Sequence, residues 1–185
     1  MTIEERLNEA QIKAECYRLL ADCYYPPDQR MHGLIDDLAN CLIPLCPEVA
    51  PHIQAIQSET LSLQDRVGDF ARLFVGPFAT PAPPYGSVYL DPGNRVMGNS
   101  AAHVREIYLE VGLELSEECS ESPDHISVEL EFMHFLCMKE AEAAHRGDSE
   151  AALYFSRKQR EFLEESLAWI SEFTERVRAR AGTAF

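Results

Sequence analysis

The sequence predicts an all-α protein, folded as a single globular domain of about seven to nine helices with one long proline-rich loop. Three observations support this prediction. Apolar residues recur at helical steps of three and four along most of the chain, and no segment alternates with the period of a strand. The 185 residues suit one domain, and proportions of 46% hydrophobic and 25% charged residues suit a packed core.

The first helix is predicted over residues 3–24, whose apolar side chains share one face. Thr2 and Glu5 have the spacing of a capping box at its start. Pro26 and Pro27 prevent the helix from continuing, because proline lacks the N–H that a helix interior requires.

Three prolines, Pro44, Pro47 and Pro51, interrupt residues 29–59 and predict two short helices there. The next apolar pattern predicts a helix over residues 62–75, which the following glycine and proline end.

A long loop is predicted between residues 76 and 98. It contains five of the eleven prolines and four of the nine glycines, and it has no helical period. Loops of this length are uncommon in compact domains unless they are functional or disordered, and its aromatic and aliphatic residues argue against disorder. We therefore expect it to pack on the body and line a surface.

After a helix over residues 100–111 and an acidic connector, the next helix has the clearest start in the chain. Ser122 suits its cap, Pro123 its first turn, and Asp124 the positive end of its dipole. Its apolar residues extend almost around the axis, so we expect this helix at the centre of the fold.

The remaining chain is predicted to be helical over residues 149–180. One unbroken helix of that length would exceed ~45 Å, so we expect a break near Ser156.

Charge and composition restrict the partners. Sixteen Lys and Arg against 31 Asp and Glu give a net charge of −15, so Coulomb repulsion predicts no nucleic-acid partner. No apolar run of ~18 residues and no apolar signal region occur, so we expect neither export nor membrane insertion. The six cysteines form no CxxC pair, which favours reduced thiols in the cytoplasm.

Acidic residues are concentrated between residues 110 and 131, where eight Asp and Glu occur without any Lys or Arg. Such a stretch would attract a peptide that carries adjacent arginines. It is also typical of a solvated face, and the stretch alone does not decide between the two.

Two Glu-x-x-His pairs, Glu131 with His134 and Glu142 with His145, have the spacing of carboxylate-bridged metal sites in helical bundles. Both pairs fall on one predicted helix, about 16 Å apart along its axis, so they cannot hold one metal pair within a subunit. We predict no metal and no cofactor, and keep a carboxylate-bridged metalloenzyme as an alternative function.

Asp124 with His125, and Cys119 with His125, are the candidate catalytic pairs. Neighbouring residues on a helix point about 100° apart, and no glycine-rich turn supplies an oxyanion hole. No nucleotide-binding GxxxxGK[ST] or GxGxxG motif occurs. We predict no catalytic residue, and leave capping and binding as the two open roles of this segment.

Three strings occur in a characteristic order. They are FARLFVGP at residues 70–77, PPYGSVYL at residues 83–90, and ESPDHI at residues 121–126, which leads into ELEFM at residues 129–133. In order and spacing they resemble the TorD/DmsD/NarJ family of redox-enzyme maturation chaperones across roughly residues 65–170.

The resemblance implies a cytoplasmic, non-enzymatic chaperone with a helical fold. It implies that the partner is the precursor of a molybdopterin-containing oxidoreductase, bound through its twin-arginine signal peptide and held until the cofactor is inserted. It also allows a homodimer formed by domain swapping, hinged near the Pro-Asp-His segment. A scaffold that binds a folded redox subunit is a further alternative.

The resemblance also implies a leader-peptide binding site. Its residues are Tyr85, Ser87, Glu121, Pro123, Asp124 and His125. The residues expected to hold the fold beneath it are Phe70, Leu73 and Phe74. The chain departs from the family at Gly86, where many members have an acidic residue, and at Ser166, where many have a histidine.

Overall fold

The computed structural model of this chain describes residues 3–76, 80–116 and 119–182, without the side chains of residues 3, 4 and 6. This part contains nine α-helices and no strand, which confirms the predicted all-α class. The helices are α1 (Ile3–Asp22), α2 (Met31–Leu45), α3 (Ala50–Ser58), α4 (Leu63–Phe70), α5 (Ser87–Leu90), α6 (Asn99–Glu110), α7 (Ile126–His145), α8 (Ser149–Glu165) and α9 (Ile170–Arg180).

Helix α7 lies at the centre, as the sequence predicts. It packs along α1 on one side and α8 on another, and α2 packs on α1. Met133, Leu136 and Cys137 of α7 have no exposed surface. A helix buried on several sides must be apolar almost all round, which explains its sequence.

Helix α4 begins with a capping box. The hydroxyl of Ser62 accepts the backbone N–H of Asp65, and the Asp65 carboxylate accepts the backbone N–H of Ser62. The helix continues as a π-helical turn, Ala71–Val75, which ends at Gly76 with φ of +29°. Only glycine adopts positive φ readily, so the glycine fixes this exit from the helix.

Five aromatic rings from five parts of the chain form one cluster. Tyr24 follows α1, Phe74 lies in the π-helical turn, Tyr89 in α5, and Trp169 and Phe173 near the C-terminus. Tyr89 stacks on Trp169 with ring centroids 5.2 Å apart, and Phe173 contacts Tyr24, Phe74 and Trp169 at 5.2–6.0 Å. Such ring pairs each contribute about 0.5–1.5 kcal/mol beyond their buried area.

The prolines between residues 29 and 59 act differently from the prediction. Pro44 lies inside the last turn of α2 and does not cut it. Pro47 starts a 3₁₀ turn, Pro47–Val49. Pro51 lies in the first turn of α3, where a backbone N–H would have no acceptor within the helix, so its absence costs no hydrogen bond. The two predicted helices are nevertheless present, as α2 of 15 residues and α3 of 9 residues, with the 3₁₀ turn between them.

The break expected near Ser156 is also misplaced, because Ser156 lies within α8. The chain turns at Ser166 and passes through a 3₁₀ turn, Leu167–Trp169, into α9. The turn directs Trp169 inward, where it is 2% exposed. Burial of this indole, rather than helix length, sets the position of the break.

The described part of the proline-rich segment, residue 76 and residues 80–98, is mostly loop, as predicted, but it contains the one-turn helix α5. The capping box expected at Thr2 and Glu5 lies outside the described residues, since Thr2 is not among them. No described helix is both long enough and apolar enough to cross a bilayer.

Gly86 lies against the indole of Trp169, and a Cβ at this position would be 2.9 Å from the indole nitrogen. We therefore expect Gly86→Ala to lower the free energy of unfolding by about 1–3 kcal/mol through overpacking. Urea denaturation of the purified protein measures this change. The matched control is Gly68→Ala inside α4, where no atom outside the neighbouring residues and the helix's own backbone lies within 4 Å of the added methyl. Stability of this variant should rise by about 0.5–1 kcal/mol. Equal effects of the two substitutions would contradict the proposed contact.

Candidate functional site

The proline-rich loop is joined to the start of α7 by backbone pairing. Tyr85 and His125 form an isolated antiparallel bridge. Its two hydrogen bonds, each 2.9 Å long, run from the Gly86 N–H to the Asp124 carbonyl and from the Ile126 N–H to the Pro84 carbonyl. Two segments that are distant in the sequence therefore form one wall.

The carboxylate of Asp124 reinforces this junction from within. It has no exposed surface. One oxygen accepts the backbone N–H of Ser87 at 2.7 Å, and the other accepts the hydroxyl of Ser122 at 2.5 Å. Both oxygens are thus used inside the protein.

The cap of α7 is His125, not Ser122 as predicted. Its Nδ1 accepts the backbone N–H of Ser127 and contacts the Ser127 hydroxyl at 2.7 Å. Because Nδ1 is an acceptor, the proton of the neutral ring is on Nε2, which lies 4.0 Å from the Glu121 carboxylate. Burial lowers the pKa of His125, while the charges of Glu121 and Asp124 oppose that shift.

In front of this wall lies a cleft of about 580 Å³. Tyr85, Glu121 and His125 line it, and the Tyr85 hydroxyl donates to Glu121 at 3.1 Å. Burial and the Glu121 charge raise the pKa of Tyr85 to about 12, so its hydroxyl stays protonated. The apolar surface of the cleft comes from Tyr24, Phe70, Phe74, Pro83, Pro84 and Val88.

The six residues expected at the site therefore separate into three groups. Tyr85, Glu121 and His125 line the cleft. Ser87 and Asp124 are fully buried behind the wall. Pro123 lines a different depression, and its carbonyl accepts the hydroxyl of Tyr108 at 2.8 Å.

The residues expected to hold the fold are buried as predicted. Leu73 has no exposed surface, and Phe70 and Phe74 are each 7% exposed. The two phenylalanines also contribute to the lining of the cleft, which the sequence did not indicate.

The sequence did not predict that the segment directly after α1 lines the cleft. Tyr25 and Pro26 line the cleft, and the Tyr25 hydroxyl donates to Glu131 at 2.7 Å. The available signal was a pair of tyrosines directly before two prolines, since a helix that stops there leaves its last rings at the surface. Arg176 of α9 was also missed, and nothing in its local sequence marks it.

Behind the wall lies a second buried carboxyl group, Glu129. It has no exposed surface, and one oxygen accepts the indole N–H of Trp169 at 3.0 Å. Burial raises its pKa well above the ordinary value of 4.5, the Trp169 hydrogen bond opposes this shift, and the Asp124 charge adds to it. Burial therefore favours the neutral, protonated form of Glu129.

The Glu-x-x-His pairs have structural partners. His134 Nδ1 lies 2.8 Å from the Ala14 carbonyl, and Glu142 pairs with Lys139 at 2.9 Å. Both pairs lie on α7, as predicted. In the part of the chain that the structure describes, no group of three or more His, Cys, Asp or Glu is arranged to hold a metal ion.

Comparisons with known proteins agree with this picture. Residues 28–175 match the family described as nitrate reductase delta subunit. The chain is similar to the perchlorate reductase assembly chaperone protein of Dechloromonas aromatica, with 29% identity covering 99% of this chain and 85% of that protein. It is also similar to the Tat proofreading chaperone DmsD of Salmonella typhimurium, with 31% identity covering 55% of this chain and 52% of that protein.

Two further similarities extend the comparison. The chaperone protein TorD of Vibrio cholerae is 30% identical, covering 79% of this chain and 64% of that protein. A solved structure described as a redox enzyme maturation protein, from Archaeoglobus fulgidus, superimposes with a TM-score of 0.50 and 25% identity, covering 82% of this chain and 94% of that one. The named relatives are chaperones or assembly proteins, not enzymes.

Removal of the Asp124 carboxylate should destabilise the protein. Asp124→Ala leaves the buried Ser87 N–H and Ser122 hydroxyl without acceptors, and we expect the free energy of unfolding to fall by about 2–4 kcal/mol. Denaturant unfolding measures it. Asp148→Ala is the control, because this exposed aspartate caps α8 and its loss should cost about 1 kcal/mol. A loss at Asp124 no larger than at Asp148 would contradict the assigned role.

Glu129 should make stability depend on pH. Because burial raises the folded pKa of Glu129 above the ordinary value of 4.5, the folded protein holds this proton to higher pH than the unfolded chain does. Stability therefore falls as pH rises above about 4.5, until the folded pKa is passed. Glu129→Gln removes this dependence and keeps an acceptor for Trp169.

We expect the melting temperature of Glu129→Gln to exceed that of the unchanged protein at pH 8, with the difference shrinking toward pH 4.5. Melting curves across this range measure it. A difference that is constant with pH would show that Glu129 is ionised in the folded protein.

Proposed function

Because this chain belongs to the redox-enzyme maturation chaperone family, we propose that it binds the twin-arginine signal peptide of the precursor of a molybdopterin-containing oxidoreductase. It holds the precursor in the cytoplasm until the cofactor is inserted. The chain is a chaperone and not an enzyme, like its named relatives. The observation that supports leader binding is the apolar cleft of about 580 Å³ with Glu121 at its edge.

The chemistry of the cleft suits such a peptide. A twin-arginine leader combines two guanidinium groups with an apolar stretch, so its receptor requires carboxylates beside an apolar surface. Phe70, Phe74 and Val88 supply the apolar surface. Burial of the leader's apolar residues would contribute ~25 cal/mol per Å² before the cost of ordering the peptide.

The prolines of the wall reduce that cost on the receptor side. Pro83 and Pro84 line the cleft, and their fixed φ angles limit how far the loop can change shape. A wall that is already ordered loses little entropy when the peptide binds. The net charge of −15 would also speed the encounter with a basic leader.

We further propose that the 185 residues form one domain. Its support is a continuous core that includes Ala21 of α1, Tyr108 of α6 and Val177 of α9. All the residues that line the cleft belong to one copy of the chain. Leader binding therefore does not need the domain-swapped homodimer that the family resemblance allows.

Isothermal titration calorimetry with synthetic twin-arginine leaders, taken from molybdopterin oxidoreductases of the same genome, tests the proposed function. We expect at least one leader to bind much more tightly than its scrambled version. Tyr85→Ala should weaken that binding about tenfold, because it removes a ring from the cleft and releases Glu121. Tyr154→Ala is the control, since Tyr154 contacts Phe155 and Arg157 and does not line the cleft.

No leader binding above that of scrambled peptides would refute the proposal. A pull-down with a client that lacks its leader tests the remaining alternative, which is a scaffold that binds a folded redox subunit. If the leaderless client binds as well as the precursor, the protein is a scaffold for a folded subunit.

A further inference from the structure

His125 takes part in three features of the candidate site. Its backbone forms the bridge to Tyr85, its Nδ1 caps α7, and its ring lines the cleft. The residue is 6% exposed. A change in the charge of this ring would therefore affect the wall, the helix and the cleft together.

The cap of α7 requires the neutral ring. Nδ1 of His125 accepts the backbone N–H of Ser127 at 3.2 Å, and the Ser127 hydroxyl lies 2.7 Å from the same nitrogen. Protonation places a hydrogen on Nδ1, and a nitrogen that donates cannot also accept. The charged ring can donate to the Ser127 hydroxyl, but the Ser127 N–H loses its acceptor. The first turn of α7 then has no side-chain cap.

The other ring nitrogen faces the carboxylate at the edge of the cleft. Nε2 of His125 lies 4.0 Å from one oxygen of Glu121, and the Tyr85 hydroxyl donates to that same oxygen at 3.1 Å. At 4.0 Å the neutral ring makes no hydrogen bond with Glu121. The protonated ring forms an ion pair with it, and this pair uses the negative charge that Glu121 otherwise presents to a ligand.

The charged and titratable groups near His125 come from several elements. They are Tyr25 after α1, Tyr85 in the loop, Glu121 and Asp124 before α7, Glu129 and Glu131 in α7, and Arg176 in α9. Burial is the main cause that raises the pKa of Tyr25 and of Tyr85 to about 12, so both stay neutral. Arg176 keeps its charge and pairs with Glu172 at 2.5 Å. Glu129, whose pKa burial raises, is a second group whose titration must be tested separately.

The neutral ring is the favoured form in the folded protein. Burial lowers the pKa of His125 from its ordinary value of 6.5, and the charges of Glu121 and Asp124 oppose that shift. The unfolded chain takes up this proton near pH 6.5, above the pKa of the folded protein. The stability that His125 contributes is therefore present above about pH 6.5 and is lost as pH falls below it.

We propose that protonation of His125 is a pH-sensitive switch that releases the leader, because the charged ring gives up the cap of α7 and pairs with Glu121 in place of the leader. This inference rests on the proposed function. A cationic leader and a proton on His125 compete for the same carboxylate, so each weakens the binding of the other. The switch operates below pH 6.5 and leaves the cleft ready to bind at neutral pH.

NMR spectroscopy of the free protein tests the switch without any leader. The spectra follow the two ring nitrogens of His125 and the amide of Ser127 between pH 8 and pH 5. We expect the proton of the neutral ring on Nε2, a midpoint below pH 6.5, and a shift of the Ser127 amide with the same midpoint. A neutral ring protonated on Nδ1, or a Ser127 amide that does not follow the ring, would refute the switch.

Calorimetry with the leader that binds most tightly tests the consequence for binding. We expect its affinity for the unchanged protein to fall at least about fivefold between pH 7.5 and pH 5.5. His125→Asn keeps an oxygen that can cap α7 but cannot take up the proton. This variant should bind the leader with nearly equal affinity at the two pH values.

Two variants serve as controls for other titrating groups. Glu129→Gln removes the buried carboxyl group behind the wall, and His134→Gln removes a histidine whose Nδ1 lies 2.8 Å from the Ala14 carbonyl, away from the cleft. Both should show the same fall in affinity as the unchanged protein. If His125→Asn also shows it, or if Glu129→Gln abolishes it, His125 is not the switch and the inference is refuted.

The failure of this inference differs from the failure of the proposed function. If no leader binds at either pH, both are refuted. If the leader binds equally well at both pH values, only the switch is refuted. Should His125→Asn fail to fold, Glu121→Gln replaces it, because loss of the Glu121 charge should move the NMR midpoint of His125 to lower pH. An unchanged midpoint would refute the ion pair on which the switch depends.

Discussion

The junction between the proline-rich loop and the start of α7 determines the geometry of the candidate site. It consists of an isolated backbone bridge between Tyr85 and His125 and a buried carboxylate, Asp124, that accepts the Ser87 N–H. Backbone groups in a buried loop must find partners, and a charged acceptor makes the stronger hydrogen bond. The cleft has a wall because these few contacts hold a loop against a helix.

The junction is supported from the C-terminal part of the chain. Gly86 allows the loop backbone to lie directly against Trp169, and Glu129 of the central helix accepts the indole N–H. One indole thus touches the loop and α7 at once. The absence of a side chain at Gly86 leaves the space that Trp169 occupies.

The sequence predicted the all-α class, the central helix and the burial of Leu73, because hydrophobic periodicity is a local signal that packing preserves. It misplaced the break near Ser156, since the real turn depends on where Trp169 is buried. It also assigned the cap of α7 to Ser122. The cap is His125, which forms a bridge to Tyr85, 40 positions earlier in the chain, and such a contact has no local signature.

The candidate site was predictable only in part. The sequence strings shared with the family identified Tyr85, Glu121 and His125, which line the cleft. A string does not show which way a side chain faces, and Asp124 of the same string is fully buried. Tyr25 lies before the region of resemblance, so only the folded chain shows that it reaches the cleft.

The bridge between Tyr85 and His125 also bears on the order of events during protein synthesis. Neither partner forms a wall without the other, and Trp169, which lies against Gly86 and donates to Glu129, is translated later still. A ribosome-bound chain that has reached only α6 lacks half of this wall. The cleft is therefore complete only after α7 and Trp169 have been translated.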